Sequence, residues 1–119
     1  YRWNKLYDSA TDIAVGADGT VYIVGKDTVP GGFGVYRRLH HAQRWHRISD
    51  THGAVRIAVD PSGNPWIIDK NNHTYRWNPN KNAFEDIPDT ATDIAIGPDG
   101  SVWTVGSVLG HQDGYPVRK

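Results

Sequence analysis

A fifteen-residue module is written three times in this chain, and that repetition limits what the chain can fold into. Residues 11–25 read TDIAVGADGTVYIVG, residues 55–69 read VRIAVDPSGNPWIID, and residues 92–106 read TDIAIGPDGSVWTVG. Each copy is a short apolar run, a tight turn containing Gly, and a second short run centred on an aromatic residue: Tyr22, Trp66 or Trp103. The copies start 44 and then 37 residues apart. A mean period of roughly 40 residues suits one four-stranded blade of a β-propeller. A blade cannot bury its own two faces, so the repeat predicts that neighbours stack against each other.

The full repeat is longer than the module. An aromatic, two polar residues and an aliphatic precede each copy: Trp3-Asn4-Lys5-Leu6, Trp45-His46-Arg47-Ile48 and Phe84-Glu85-Asp86-Ile87. Two residues further on stand Asp8, Asp50 and Asp89, which are expected to orient the next turn through side-chain to backbone bonds. A basic segment follows each copy: Val35-Tyr36-Arg37-Arg38, Thr74-Tyr75-Arg76-Trp77 and Pro116-Val117-Arg118-Lys119, with an Arg third in every case. Four short runs bounded by turn residues read as an all-β chain. Gly and Pro punctuate every stretch, and no segment keeps a 3.6-residue period for long, so helix reads poorly. The prediction is one unit over residues 1–119, with repeats at approximately 1–38, 43–77 and 83–119.

Asp18-Gly19, Asp99-Gly100 and Pro61-Ser62-Gly63-Asn64 lie between paired apolar runs and predict hairpin turns. The second connection varies in length. It is read as a long glycine-rich loop at residues 26–34, a short one at 70–73 and a long one at 107–114. Gly31-Gly32-Phe33-Gly34 is read as a flexible part of the first. Variable loops on a fixed scaffold are where binding specificity usually differs.

Five Trp and six Tyr supply a core that a disordered segment would lack. Lys plus Arg equals Asp plus Glu, so no charge excess points to nucleic acid or an anionic membrane. Without Cys there is no disulfide frame, thiolate metal site or Cys nucleophile, and nothing fixes the redox compartment. No apolar run approaches the roughly 20 residues of a membrane-spanning helix.

The chain opens on the aromatic-x-x-aliphatic run and ends on the basic run. Three blades do not close a ring, because propellers need about four to eight. An open half-disc would also expose two apolar faces. The expectation is a homodimer: two chains joined head-to-tail into a six-bladed ring of two-fold symmetry, with the first strand completing a blade of the other chain. The competing expectation is a piece of a longer propeller.

The string W-x-x-[LI], then D-I-A-[VI]-G-x-D-G-[ST]-V-[WY], then Y-R resembles the tectonin repeat of β-propeller lectins. The resemblance runs from Trp3 to Tyr36, from Trp45 to Tyr75, and from Phe84 onward. The chain departs from the repeat in carrying Gly25, Asp69 and Gly106 where tectonin repeats tend to have Asn, and in Phe84 and Val117. The resemblance implies binding of surface glycans, including methylated sugars and bacterial lipopolysaccharide, at sites repeated around the ring, with no cofactor.

Sugars present C–H faces beside hydroxyls, and an aromatic next to Arg, Asp or Asn suits them. The candidate sugar-binding residues are Tyr22, Trp66, Trp103, Tyr36 and Tyr75 as stacking surface, with Arg37, Arg76 and Asp69 as hydrogen-bonding partners. The competing reading places the central aromatics in the packing between blades. It pairs the Arg series with Asp12, Asp93 or other carboxylates.

His40, His41, His46 and His52 form the densest histidine group, but no other repeat matches it, and no metal is expected. No phosphate loop or nucleophile elbow is present in the sequence. IAVDPSGNPWI at residues 57–67 is also similar to propellers of the NHL and virginiamycin-lyase-like type. Enzymes of that type would need acid–base groups at inner-strand ends, where this chain offers Asp12, Arg56 and Asp93; its one Glu is Glu85. A protein-interaction platform is the third reading.

Overall fold

A computed structural model describes residues 9–39, 44–106 and 117–119. The expected strand at Trp3–Leu6, Asp8, His40, His41 and the loop at 107–114 lie outside the described residues.

The three modules become the inner hairpins of three antiparallel sheets. The first sheet runs β1 (Asp12–Val15), β2 (Val21–Val29), β3 (Gly32–Leu39), β4 (Arg44–Arg47). The second runs β5 (Arg56–Val59), β6 (Pro65–Ile68), β7 (His73–Asn78), β8 (Ala83–Thr90). The third runs β9 (Asp93–Ile96), β10 (Val102–Val105), β11 (Val117–Arg118). In each sheet the spatial order is the sequence order, so each is a simple meander. The described residues contain no helix, and the all-β expectation holds. The first strands of successive sheets lie beside one another, β1 by β5 and β5 by β9.

The module turn has the same geometry three times. Gly19, Gly63 and Gly100 have φ of 87°, 87° and 85°. Each donates its N–H back across the turn, to Gly16 O at 3.0 Å, Asp60 O at 2.9 Å and Gly97 O at 3.0 Å. This is a three-residue hairpin loop, a type I turn followed by a left-handed glycine. The Asp of Asp-Gly stays in ordinary backbone space and caps the turn. Asp18 Oδ1 accepts Thr20 N at 2.9 Å, and Asp99 Oδ1 accepts Ser101 N at 3.0 Å.

Strand alternation sends one set of side chains to each neighbouring sheet. Ala14, Tyr22 and Val24 of the first sheet meet Ile57, Val59, Ile67, Tyr75 and Phe84 of the second. From the second sheet, Ala58, Trp66 and Ile68 meet Ile94, Ile96 and Val102 of the third. The repeat thus builds one kind of junction twice, with the aromatic of one sheet facing the inner strand of the next.

Residues 26–34 are not the long glycine-rich loop that composition suggests. β2 and β3 continue through them, with a bulge between Val24 and Thr28, and turn only at Pro30-Gly31. Gly31 has φ 92°, as a type II turn after Pro requires. This arm clips the second sheet. Phe33 N donates to Ala54 O at 3.0 Å, Ala54 N to Phe33 O at 2.8 Å, and Gly53 N to Pro30 O at 2.7 Å. Gly31–Gly34 is therefore strand and turn, held to a neighbour by its backbone.

Candidate functional site

The repeated feature with chemistry is a cross-strand pair of an aromatic and a cation. Tyr22 lies opposite Arg37, and Trp66 lies opposite Arg76. In the third sheet, Thr104 pairs with Arg118 and Val105 with Val117, so one further step sets Lys119 opposite Trp103. Lys119 Nζ lies 5.4 Å from the Trp103 ring centroid. The basic segments therefore align differently from the sequence reading. Val117 matches Val35 and Thr74, and the third cation of the series is Lys119, not Arg118. A one-residue slip in a strand moves every side chain to the other face.

The pair at the second junction is the most elaborated. Trp66 donates Nε1–H to Asp60 Oδ2 at 3.1 Å, and the Arg76 guanidinium lies over the indole at 5.8 Å. Arg76 Nε is 3.6 Å from Asp60 Oδ2. The other oxygen, Asp60 Oδ1, accepts Ser62 N and Asn64 N at 3.0 Å each. Asp60 is 8 % exposed and stands where the sister modules have Gly16 and Gly97. An open cleft of about 560 Å³ runs along this pair, with Asp60, Trp66 and Arg76 on one wall and Asp99, Gly100 and Val102 of the third sheet on the other.

At the first junction the equivalent Tyr22 is 4 % exposed and donates its hydroxyl to Gly63 O at 3.3 Å. Burial raises the Tyr22 pKa above its ordinary value of 10.0, only partly countered by the Arg37 charge, so it remains a phenol donor. Arg37 and His46 of the first sheet and Trp77 and Asn82 of the second line a small polar cleft of about 80 Å³ there. Arg37 and Arg76, which hold the same place in the repeat, thus each border a cleft at successive junctions.

The eight candidate residues are spread over the three sheets and fall on both of their faces. Tyr22, Arg37, Trp66, Arg76 and Trp103 take the places just given. Tyr36 and Tyr75 pair with Ile23 and Ile67 and so face the opposite side of their sheets. Tyr75 packs edge-on to His52, with centroids 4.7 Å apart, and belongs to the first junction's core. Its pKa is raised above 10.0 by burial and then by Asp69 and Asp86. Asp69 is 5 % exposed, and its Oδ1 accepts Asn71 N and His73 N at 2.9 Å each, so it folds the β6–β7 turn. Trp103 is 45 % exposed and donates Nε1–H to Ser101 Oγ at 3.3 Å.

Residue-type reasoning passed over Asp60, Asp99, Lys119, Trp77 and Asn82. Asp60 carried a readable signal, an acid where both sister modules have glycine. At the inner-strand ends, Asp12 Oδ2 accepts Ile57 N at 3.0 Å, and Arg56 Nε lies 4.0 Å from Asp93 Oδ1. These groups tie sheet to sheet. Among the described residues no three His, Cys, Asp or Glu side chains converge as a metal site. No protein-family model matches this chain, and no curated protein matches it.

Proposed function

We propose that this chain is the three-bladed half of a six-bladed, tectonin-like β-propeller that binds surface glycans without catalysing a reaction. The observation that supports it is the repeated arginine beside an aromatic at a blade junction, with the Trp66–Arg76–Asp60 cleft as its fullest form.

That cleft has the mixed chemistry a sugar requires. The indole offers apolar surface to ring C–H groups. The Arg76 guanidinium donates hydrogen bonds to hydroxyls, and the exposed Asp99 carboxylate accepts them, while Asp60 holds the indole and the guanidinium in place. About 560 Å³ accommodates a monosaccharide or disaccharide. Single sites of this kind are weak, and a ring that repeats them gains affinity by avidity on a glycan-coated surface. Methylated sugars fit the same wall because each methyl adds apolar area against the indole. A glycan panel that includes methylated sugars and bacterial lipopolysaccharides, with free-sugar competition, tests the proposal.

A further inference from the structure

We infer that a second copy of this chain docks head-to-tail on the Trp103 face and completes a further glycan cleft there. That cleft is built from Trp103 and Lys119 of one copy and the Ala17–Gly19 turn of the other. The inference rests on the propeller reading above.

The two open faces of the molecule are the two halves of a junction it already builds twice. On the receiving side, Ile57 and Val59 pack beneath Tyr22, and Ile94 and Ile96 pack beneath Trp66. Their counterparts in the first module, Ile13 and Val15, are 62 % and 60 % exposed. On the giving side, Tyr22 is buried and Trp66 half-buried against the next sheet, whereas Trp103 is 45 % and Val117 69 % exposed. Ala95, Trp103, Val105 and Val117 border a hollow of about 130 Å³. That hollow accepts an aliphatic side chain from an inner strand such as Ile13–Val15.

The polar groups repeat as well. Asp12 holds its own Ile13 N with Oδ1 at 2.9 Å and reaches Ile57 N of the next sheet with Oδ2 at 3.0 Å. Asp93 holds Ile94 N with Oδ1 in the same way, at 2.9 Å, and its side chain is 61 % exposed on the open face. In the second junction, Arg76 borders the same cleft as Asp99 of the following turn. The counterparts at a closing junction are Lys119 and Asp18 of the second copy, again a cation facing an acid. A second copy is therefore complementary in shape, hydrogen bonding and charge. Two copies close with two such junctions and no open face. Among the described residues, none supplies an opposite wall beside Trp103 and Lys119, and that copy would provide it.

Light scattering on the purified chain at roughly tens of micromolar tests this, since specific interfaces of this type hold at such concentrations. The expected mass is twice the monomer's 13.3 kDa. Ile13→Asp with Val15→Asp disables one face, and Trp103→Asp disables the other. Both sets are surface positions in the single chain, and far-ultraviolet circular dichroism checks their folding. Each variant alone is expected at the monomer mass. An equimolar mixture is expected to regain the dimer mass, because it retains one intact junction. Oxidative footprinting should protect Trp103 and the Ala17–Gly19 turn in the wild type and expose both in the variants. A monomeric wild type, or a variant that stays dimeric because like faces pair, overturns the inference. These readouts involve no sugar, so they stand or fall separately from glycan binding.

Discussion

Asp60 holds the indole N–H of Trp66 at 3.1 Å with one oxygen while its other oxygen caps the turn between them. One buried carboxylate therefore sets both the backbone of the loop and the angle of the aromatic that lines the cleft of about 560 Å³. Asp60→Ala leaves two backbone donors and the indole N–H without their partner. It should lower stability by about 2 kcal/mol, the scale of an unsatisfied buried group. Thermal unfolding reads this directly. An unchanged midpoint would mean that the carboxylate does not organise the site.

Two glycines should behave differently on substitution by Ala. At Gly19 a Cβ meets nothing within 4 Å, so Gly19→Ala costs only the left-handed backbone at φ 87°, about 1 kcal/mol. At Gly32 a Cβ would stand 2.7 Å from Ala54 O and 2.9 Å from Ala54 N. Gly32→Ala must push β3 away from the Gly53-Ala54 segment that it clips, and should cost about 3 kcal/mol. Denaturant titration of both variants tests the ordering, and equal costs would contradict the close approach.

Asp27 makes the acid limb of stability depend on the same arm. Burial pushes its pKa upward, but the hydroxyl of Tyr36 and the guanidinium of Arg47 outweigh that and hold it below the ordinary 3.8. Arg47 Nη1 lies 3.0 Å from Asp27 Oδ2. A depressed folded-state pKa gives stability that is fully present above the unfolded value and lost as pH falls through the folded one. The stability difference between wild type and Asp27→Asn should be constant near neutral pH and shrink below about pH 4. A gap that stays constant or widens on acidification would show that Asp27 is not held ionised.

Tyr22 and Trp66 occupy one position in the repeat but should divide in effect. Tyr22→Ala removes a side chain that is 4 % exposed from the first junction and should cost about 3 to 5 kcal/mol. Trp66→Ala removes a half-buried wall of an open cleft, so the chain should keep its fold while losing glycan binding. Circular dichroism and binding measured on one sample separate the two outcomes.

Much of the fold was legible because the modules state it openly. The Asp-Gly pairs marked the hairpins, and apolar alternation marked the faces that meet. The arm at residues 26–34 was not legible, since glycines needed for the approach of Gly32 to Ala54 look like glycines of a loop. Lys119 was missed for a related reason. The string Val117-Arg118-Lys119 fits the basic segment in two registers, and only the pairing of Val105 with Val117 selects one. The candidate site mixed two faces because Tyr36 and Tyr75 adjoin Arg37 and Arg76 in sequence, whereas in a strand adjacent residues point apart. Asp69 reads as a polar partner by type, yet the β6–β7 turn uses its carboxylate.

The most direct test of glycan binding is an array of methylated sugars and bacterial lipopolysaccharides, probed with the wild type and with Trp66→Ala. The account predicts selective wild-type binding that free sugar competes away and that Trp66→Ala loses while retaining its strand signal. A blank array from folded wild-type protein, or equal binding by both proteins, would contradict it.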